Sequence, residues 1–157
     1  MQYCNTGNEL AQEIMYRRGP PTDPAMMHFS GGSVTKITGR TGWYVDSVAL
    51  HTGEEKIEYG SRGGDNDSIN DLRPGEYICA VTQKNYGVGY LGSSLVFHLS
   101  SGRDVAIEGK PWPHKKCRFQ EQFAVNEGEK VVGLEFEGSR LVGLICAWAY
   151  CSVSLLP

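Results

Sequence analysis

Gly39-Arg40-Thr41-Gly42-Trp43-Tyr44-Val45-Asp46-Ser47-Val48 is a glycine-bounded loop with two adjacent aromatics that runs straight into an apolar strand. Trp43 and Tyr44 offer flat apolar surface with hydrogen-bonding tips, and Asp46 offers a fixed acceptor, the mixture that a polyhydroxylated ring needs. The same pattern also suits a plain hairpin whose aromatics cover the end of a sheet. The two readings differ in what the rest of the chain must supply.

Working outward, short runs bounded by glycine and polar turns predict strands at 26–29, 34–38, 44–51, 56–59, 68–72, 77–84, 94–99, 103–108, 122–125, 130–137 and 141–153. Leu95, Phe97 and Leu99 alternate onto one face, as do Val132, Leu134 and Phe136, with Glu135 and Glu137 on the other. Glycine is 20 of 157 residues, well above the average of about 7%, which suits a turn-rich β protein. Two loop types recur, a glycine turn entering an apolar strand (42–48 and 138–146) and a glycine-rich connection after a tyrosine (59–64 and 86–92), which suggests repeated β units.

The length fits one domain. Ahead of the strands, Leu10, Ala11, Ile14 and Met15 recur at helical spacing, with Arg17, Arg18 and Gly19 closing the run, and predict a short amphipathic helix within 8–18. Pro20, Pro21 and Pro24 then break regular structure. The chain divides into an N-terminal helix and proline-rich arm, 1–24, and a β domain, 25–157.

Net charge is −3, from 15 basic and 18 acidic residues, so no global field draws the protein to nucleic acid or to an acidic membrane. No run of 18 apolar residues predicts a membrane span. The expectation is a soluble chain, cytoplasmic, or secreted if a signal peptide has been removed. Cys4, Cys79, Cys117, Cys146 and Cys151 make an odd count without a pairing pattern, which favours reduced thiols.

In order along the chain, Val34-Thr35-Lys36-Ile37, Gly42-Trp43-Tyr44-Val45-Asp46-Ser47-Val48, Tyr59-Gly60-Ser61-Arg62-Gly63-Gly64 and Leu72-Arg73-Pro74-Gly75-Glu76-Tyr77-Ile78 form a recognisable series. It continues with Ser94-Leu95-Val96-Phe97, Val131 to Gly138 and a long apolar last strand. This ordered set resembles the jacalin-related lectin domain. The resemblance implies an all-β fold, a β-prism of three Greek-key four-stranded sheets. It also implies sugar binding between a G-x-x-x-D loop and a neighbouring Gly-Gly loop, without metal or other cofactor, and with mannose or galactose preference. Gly42, Trp43, Tyr44, Val45 and Asp46 fit the first loop, and Gly63 and Gly64, followed by Asp65, fit the second. The site that the family ordinarily uses has lost both halves: Gly19 to Asp23 lacks a Gly-Gly and Gly138 to Gly143 lacks the aspartate. Changing Asp23 or Arg140 there is expected to matter little for binding.

Glycine at 63 and 64 lets backbone amides approach a ring where a side chain would block it. Single sites of this kind bind weakly, so multivalency, for instance in a homo-oligomer, must raise the affinity for glycans or glycoproteins.

No G-x-S-x-G, phosphate loop or dinucleotide fingerprint is present, nor a motif placing a nucleophile beside a base, so an enzyme is not expected. Asp46 and Asp65 could form an acid pair only if the fold brings them together. His114 and Cys117 have half of a zinc spacing with no second pair. Two alternatives stand beside the lectin reading: a β-prism interaction or targeting module whose sugar sites have decayed, and a binder of acidic glycans through the basic stretch 110–118.

Overall fold

The computed structural model describes residues 14–16, 33–85, 90–111 and 120–149, and every regular element among them is a strand. Ile14–Tyr16, inside the expected helix, forms the short strand β1 instead. Its backbone pairs in parallel with 122–124, so a sheet edge overrides the helical spacing there. The remainder of that helix, the proline arm and the strand expected at 26–29 lie outside the described residues.

The next four strands, β2 (Lys36–Thr41), β3 (Val45–His51), β4 (Lys56–Gly60) and β5 (Asn66–Asp71), form a sheet in the order β4-β3-β2-β5. β6 (Ile78–Lys84), β7 (Ser94–Leu99), β8 (Asp104–Glu108) and β9 (Gln120–Ala124) repeat that order as β9-β6-β7-β8, with β1 added outside β9. In each, the fourth strand returns beside the first, which is the Greek key. β10 (Glu129–Glu137) and β11 (Arg140–Trp148) form a hairpin, the part of the third sheet among the described residues.

Alternation sets which face turns inward. In β8, Val105 and Ile107 are buried between exposed Asp104, Ala106 and Glu108. Ile37, Val48, Leu50, Leu95, Phe97, Ile107, Leu134 and Leu144, drawn from all three sheets, join one core. β10 departs from the simple alternation. A bulge between Val131 and Gly133 puts Val131 into that core with Leu134, while Val132, expected beside Leu134, is buried outside it. The extra residue of a bulge shifts every side chain before it to the other face.

The repetition reaches individual side chains. Thr38 Oγ1 lies 2.7 Å from His51 Nε2 in the first key, and Thr82 Oγ1 lies 2.8 Å from His98 Nε2 in the second. Both threonines stand on a key's first strand and both histidines on its second. The key junctions repeat as well: Arg73-Pro74-Gly75-Glu76 and Asn126-Glu127-Gly128-Glu129 each place glycine at φ +85°. Each glutamate accepts from the N–H three residues earlier, at 2.6 Å from Arg73 and 3.2 Å from Asn126. Tyr59 ties the first key to the third, its hydroxyl accepting from the buried Leu134 N–H at 2.9 Å, and burial pushes its pKa up to about 12.

Glu76 shows what holds a junction. Its carboxylate accepts from Arg103 Nη2 at 2.6 Å and Nε at 3.1 Å, and also from the Ser101 hydroxyl. The Arg103 bonds first, then Ser101 and the Arg73 N–H, hold its pKa down to about 2 from an ordinary 4.5. A depressed carboxylate stabilises the fold fully above its unfolded pKa, and that stabilisation fades as pH falls toward the folded one. Urea unfolding is therefore expected to show stability falling from about pH 5 to pH 2, with a shallower fall in Glu76→Gln. Equal slopes would assign the loss to other groups.

Candidate functional site

β2 ends at Thr41 with a register shift against β3, and 42–44 bulge out as a loop before β3 starts. Three backbone bonds pin the loop: Gly42 N–H to Tyr44 O at 3.0 Å, Val45 N–H to Gly92 O at 2.9 Å and Lys110 N–H to Gly42 O at 2.9 Å. A Cβ on Gly109 would collide with the Trp43 carbonyl, so only glycine lets that strand end press against the loop.

The 60–65 connection closes from the other side. Ser61 N–H donates to Asp46 O at 2.9 Å and Asp65 N–H to Thr41 O at 3.1 Å. Arg40 holds the Gly64 carbonyl at 3.0 Å while pairing with Asp67 at 3.1 Å. Gly64 sits at φ +74°, and a Cβ there would lie 2.8 Å from Thr41 N and 2.9 Å from Asp46 Oδ2. One on Gly63 would lie 2.5 Å from Asp46 Oδ1. Glycine at 63 thus makes room for the carboxylate itself, and at 64 it is also required by the left-handed backbone.

Gly42, Trp43, Tyr44, Asp46 and Gly64, from both loops, line one pocket of about 550 Å³ together with Tyr90. Asp46 is 8% exposed, and its carboxylate has no hydrogen-bond partner among the described residues. Val45, expected with this set, turns its side chain into the core with Val48 and Leu50; the register shift that leaves Asp46 as the extra residue between Val45 and Ser47 breaks strict alternation and lets both sides of the shift face inward. Asp65, also expected with this set, does not line the pocket; its side chain is 67% exposed and paired with Lys110 at 2.8 Å, a bond that holds its carboxyl below the usual range. Lys110 Nζ also lies 5.9 Å from the centre of the Trp43 ring, within cation–π range.

Tyr90 had no signal of its own in the sequence. It reaches the pocket because Leu91 N–H donates to Val45 O at 2.9 Å, docking the second key's loop on the first. Its ring stacks on Tyr44 at 5.3 Å and 11°.

The other candidates separate cleanly. Ser93 stands five residues before His98 as Asp46 stands five before His51, so the second key carries a hydroxyl where the first carries the acid; Asn85 Nδ2 donates to it at 3.0 Å. In the third key Val142 takes that place. Arg140 is not a bystander there: its guanidinium pairs with Glu121, which is 1% exposed. Changing Arg140 would therefore disturb the fold, an effect separate from the small effect on binding expected from sequence. Gln83 braces the same turn, donating to Ser139 O and accepting from Leu141 N–H, both at 2.8 Å.

His98 also bonds Asp104 through Nδ1 at 2.8 Å, which lines up a hydroxyl, an imidazole and a carboxylate that no sequence motif announces. Thr82 is only 4% exposed and the Thr–His pair recurs in the first key, so the arrangement braces strands. Cys79 carries a free thiol whose pKa burial pushes up, and Cys146 is half-buried against the core; the other cysteines and the stretch 112–118 of the basic run lie outside the described residues. Among the described residues no group of three His, Cys, Asp or Glu is placed to hold a metal, and no helix is long and apolar enough to cross a membrane.

No family model matches the chain, and no curated protein does. Solved structures do. A prostate-specific WGA16 glycoprotein lectin superposes with a TM-score of 0.61 at 18% identity, over 78% of this chain and 88% of that one. Calystegia sepium agglutinin gives 0.53 at 17% identity, over 77% and 90%. A point variant of Malaysian banana lectin gives 0.52 at 17%, over 74% and 83%. At such identities the likeness is one of architecture, and with the two Greek keys and the hairpin around one core it shows that the chain has the jacalin-like β-prism fold.

Proposed function

We propose that this protein is a carbohydrate-binding lectin without catalytic activity, and that it holds a sugar ring between Gly42 to Asp46 and Gly63 to Asp65. The observation that carries the proposal is the Asp46 carboxylate, buried, without a hydrogen-bond partner among the described residues and opening on a pocket walled by aromatics and a glycine loop. An ionised group left without hydrogen bonds costs stability. Two adjacent sugar hydroxyls would supply the missing donors, Trp43 or Tyr44 would cover the ring's apolar face, and the loop amides would donate. Of the three solved structures named above, two are called lectins and one an agglutinin, which supports the same reading.

A glycan array probed with wild type and Asp46→Ala tests it. Signal on wild type that disappears in the variant is expected. A blank wild-type array would leave the interaction module with decayed sites, and binding that survives Asp46→Ala but is lost on changing Lys115 and Lys116 would move the receptor to the basic stretch. Metal independence is part of the proposal: chelation with EDTA is expected to leave the array signal unchanged, and its loss would place a cation in the site.

A further inference from the structure

We infer that the end of the prism away from the sugar loops holds a second binding site, for a small organic carboxylate, centred on Lys130 and Ser33. It is independent of the lectin reading. β2 links the two places: Thr41 adjoins the first site's loops, whereas Thr35, about 20 Å back along an extended strand, lines a separate cavity of about 320 Å³. Lys130, near the start of β10, lines that cavity yet is only 7% exposed. Its Nζ donates to Ser33 Oγ at 2.6 Å, and no carboxylate among the described residues pairs with it. Glu76 lines the same cavity, but Arg103 already holds its carboxylate through two bonds. The charge left over is positive.

A buried ammonium answered only by a neutral hydroxyl costs free energy until an anion reaches it. An ammonium has three donors and a hydroxyl one. One ammonium donor goes to Ser33, whose own proton remains to be given, so an entering carboxylate can accept from both groups in charge-assisted bonds. Arg73, exposed and also on the lining, adds a second positive charge to draw the anion in. Val34, Leu72, Pro74 and Tyr77 supply apolar wall beside the cation. One buried charge next to apolar surface suits an acid with a hydrocarbon body better than inorganic phosphate or sulfate, whose further oxygens demand more donors. The cavity lies at the small end of the range of about 300–1,000 Å³ for ligand pockets, which keeps that body small.

The test is titration at constant ionic strength, followed by amide-resolved NMR, with sodium acetate, sodium benzoate, benzamide and sodium phosphate as probes. Benzoate is expected to give saturable shifts at 33–35, 72–77 and 130, the residues around this cavity, and to bind about tenfold more tightly than acetate. Benzamide, of the same shape without the charge, should bind at least about tenfold more weakly than benzoate. Lys130→Met, which keeps an apolar stem and removes the ammonium, should weaken benzoate by at least about tenfold. The wild-type contrast of benzoate with benzamide decides the matter even if that variant fails to fold. No saturable shift with either carboxylate, shifts centred away from this cavity, equal binding of benzamide, or undiminished binding in Lys130→Met would overturn the inference. Phosphate binding more tightly than benzoate, or no advantage of benzoate over acetate, would overturn the assignment to an organic carboxylate.

Discussion

Asp46→Ala is expected to remove detectable sugar binding and to leave the fold intact. A carboxylate accepting two hydroxyl protons in a small, partly closed site makes charge-assisted bonds, and their loss costs about 2–4 kcal/mol. That is roughly thirtyfold to a thousandfold in affinity, enough to carry a weak monovalent site beyond titration. The fold should not notice, because no described residue hydrogen-bonds the Asp46 side chain. Removing an unpaired buried carboxylate should leave stability level or raise it, the signature of a residue kept for binding. Titration beside urea unfolding of the same preparation separates the two effects. Lost binding with lost stability would make Asp46 a structural residue, and retained binding would empty the site.

Phe97→Ala is expected to cost about 3–5 kcal/mol of stability, a large share of the roughly 5–15 kcal/mol that a domain has. Phe97 is fully buried, one of the largest such side chains, and sits in the core to which all three sheets contribute. Close-packed sheets cannot collapse into the space that the ring leaves without breaking ladder bonds. Urea midpoints should fall steeply for Phe97→Ala and stay within about 0.5 kcal/mol for Ile69→Ala, whose side chain is 70% exposed on an edge strand. Comparable small shifts in both would mean that the sheets do not share one core.

Much of the site was legible because its chemistry is local. Gly42, Asp46, Gly63 and Gly64 occupy two short stretches, each with an unusual demand: a loop that must pass into a strand, and a backbone that must approach closely. Val45 was grouped with them by adjacency, yet the register shift at the start of β3 turns its side chain into the core beside Val48 and Leu50. Tyr90 escaped because the glycine-rich stretch 86–92 marks a loop without saying what that loop packs on. Its role comes from the backbone bond of the next residue, Leu91, to Val45 of the first key's sheet, 46 positions earlier in the numbering. Arg140 was read as part of an idle loop because Glu121, its buried partner, lies on another sheet.

For the architecture, alternation and glycine spacing by themselves determined that the chain is built of strands, placed most of them within a residue or two, and marked which faces turn inward; period and turn chemistry are properties of neighbouring residues. Only the tertiary structure decided that Ile14–Tyr16 joins a sheet in place of a helix, that the bulge in β10 exchanges Val131 for Val132 in the core, and that the second key's loop completes the first key's pocket. Each depends on hydrogen bonds or packing between segments far apart in the chain, whose energies exceed the local preferences they override and leave no periodic trace in the sequence.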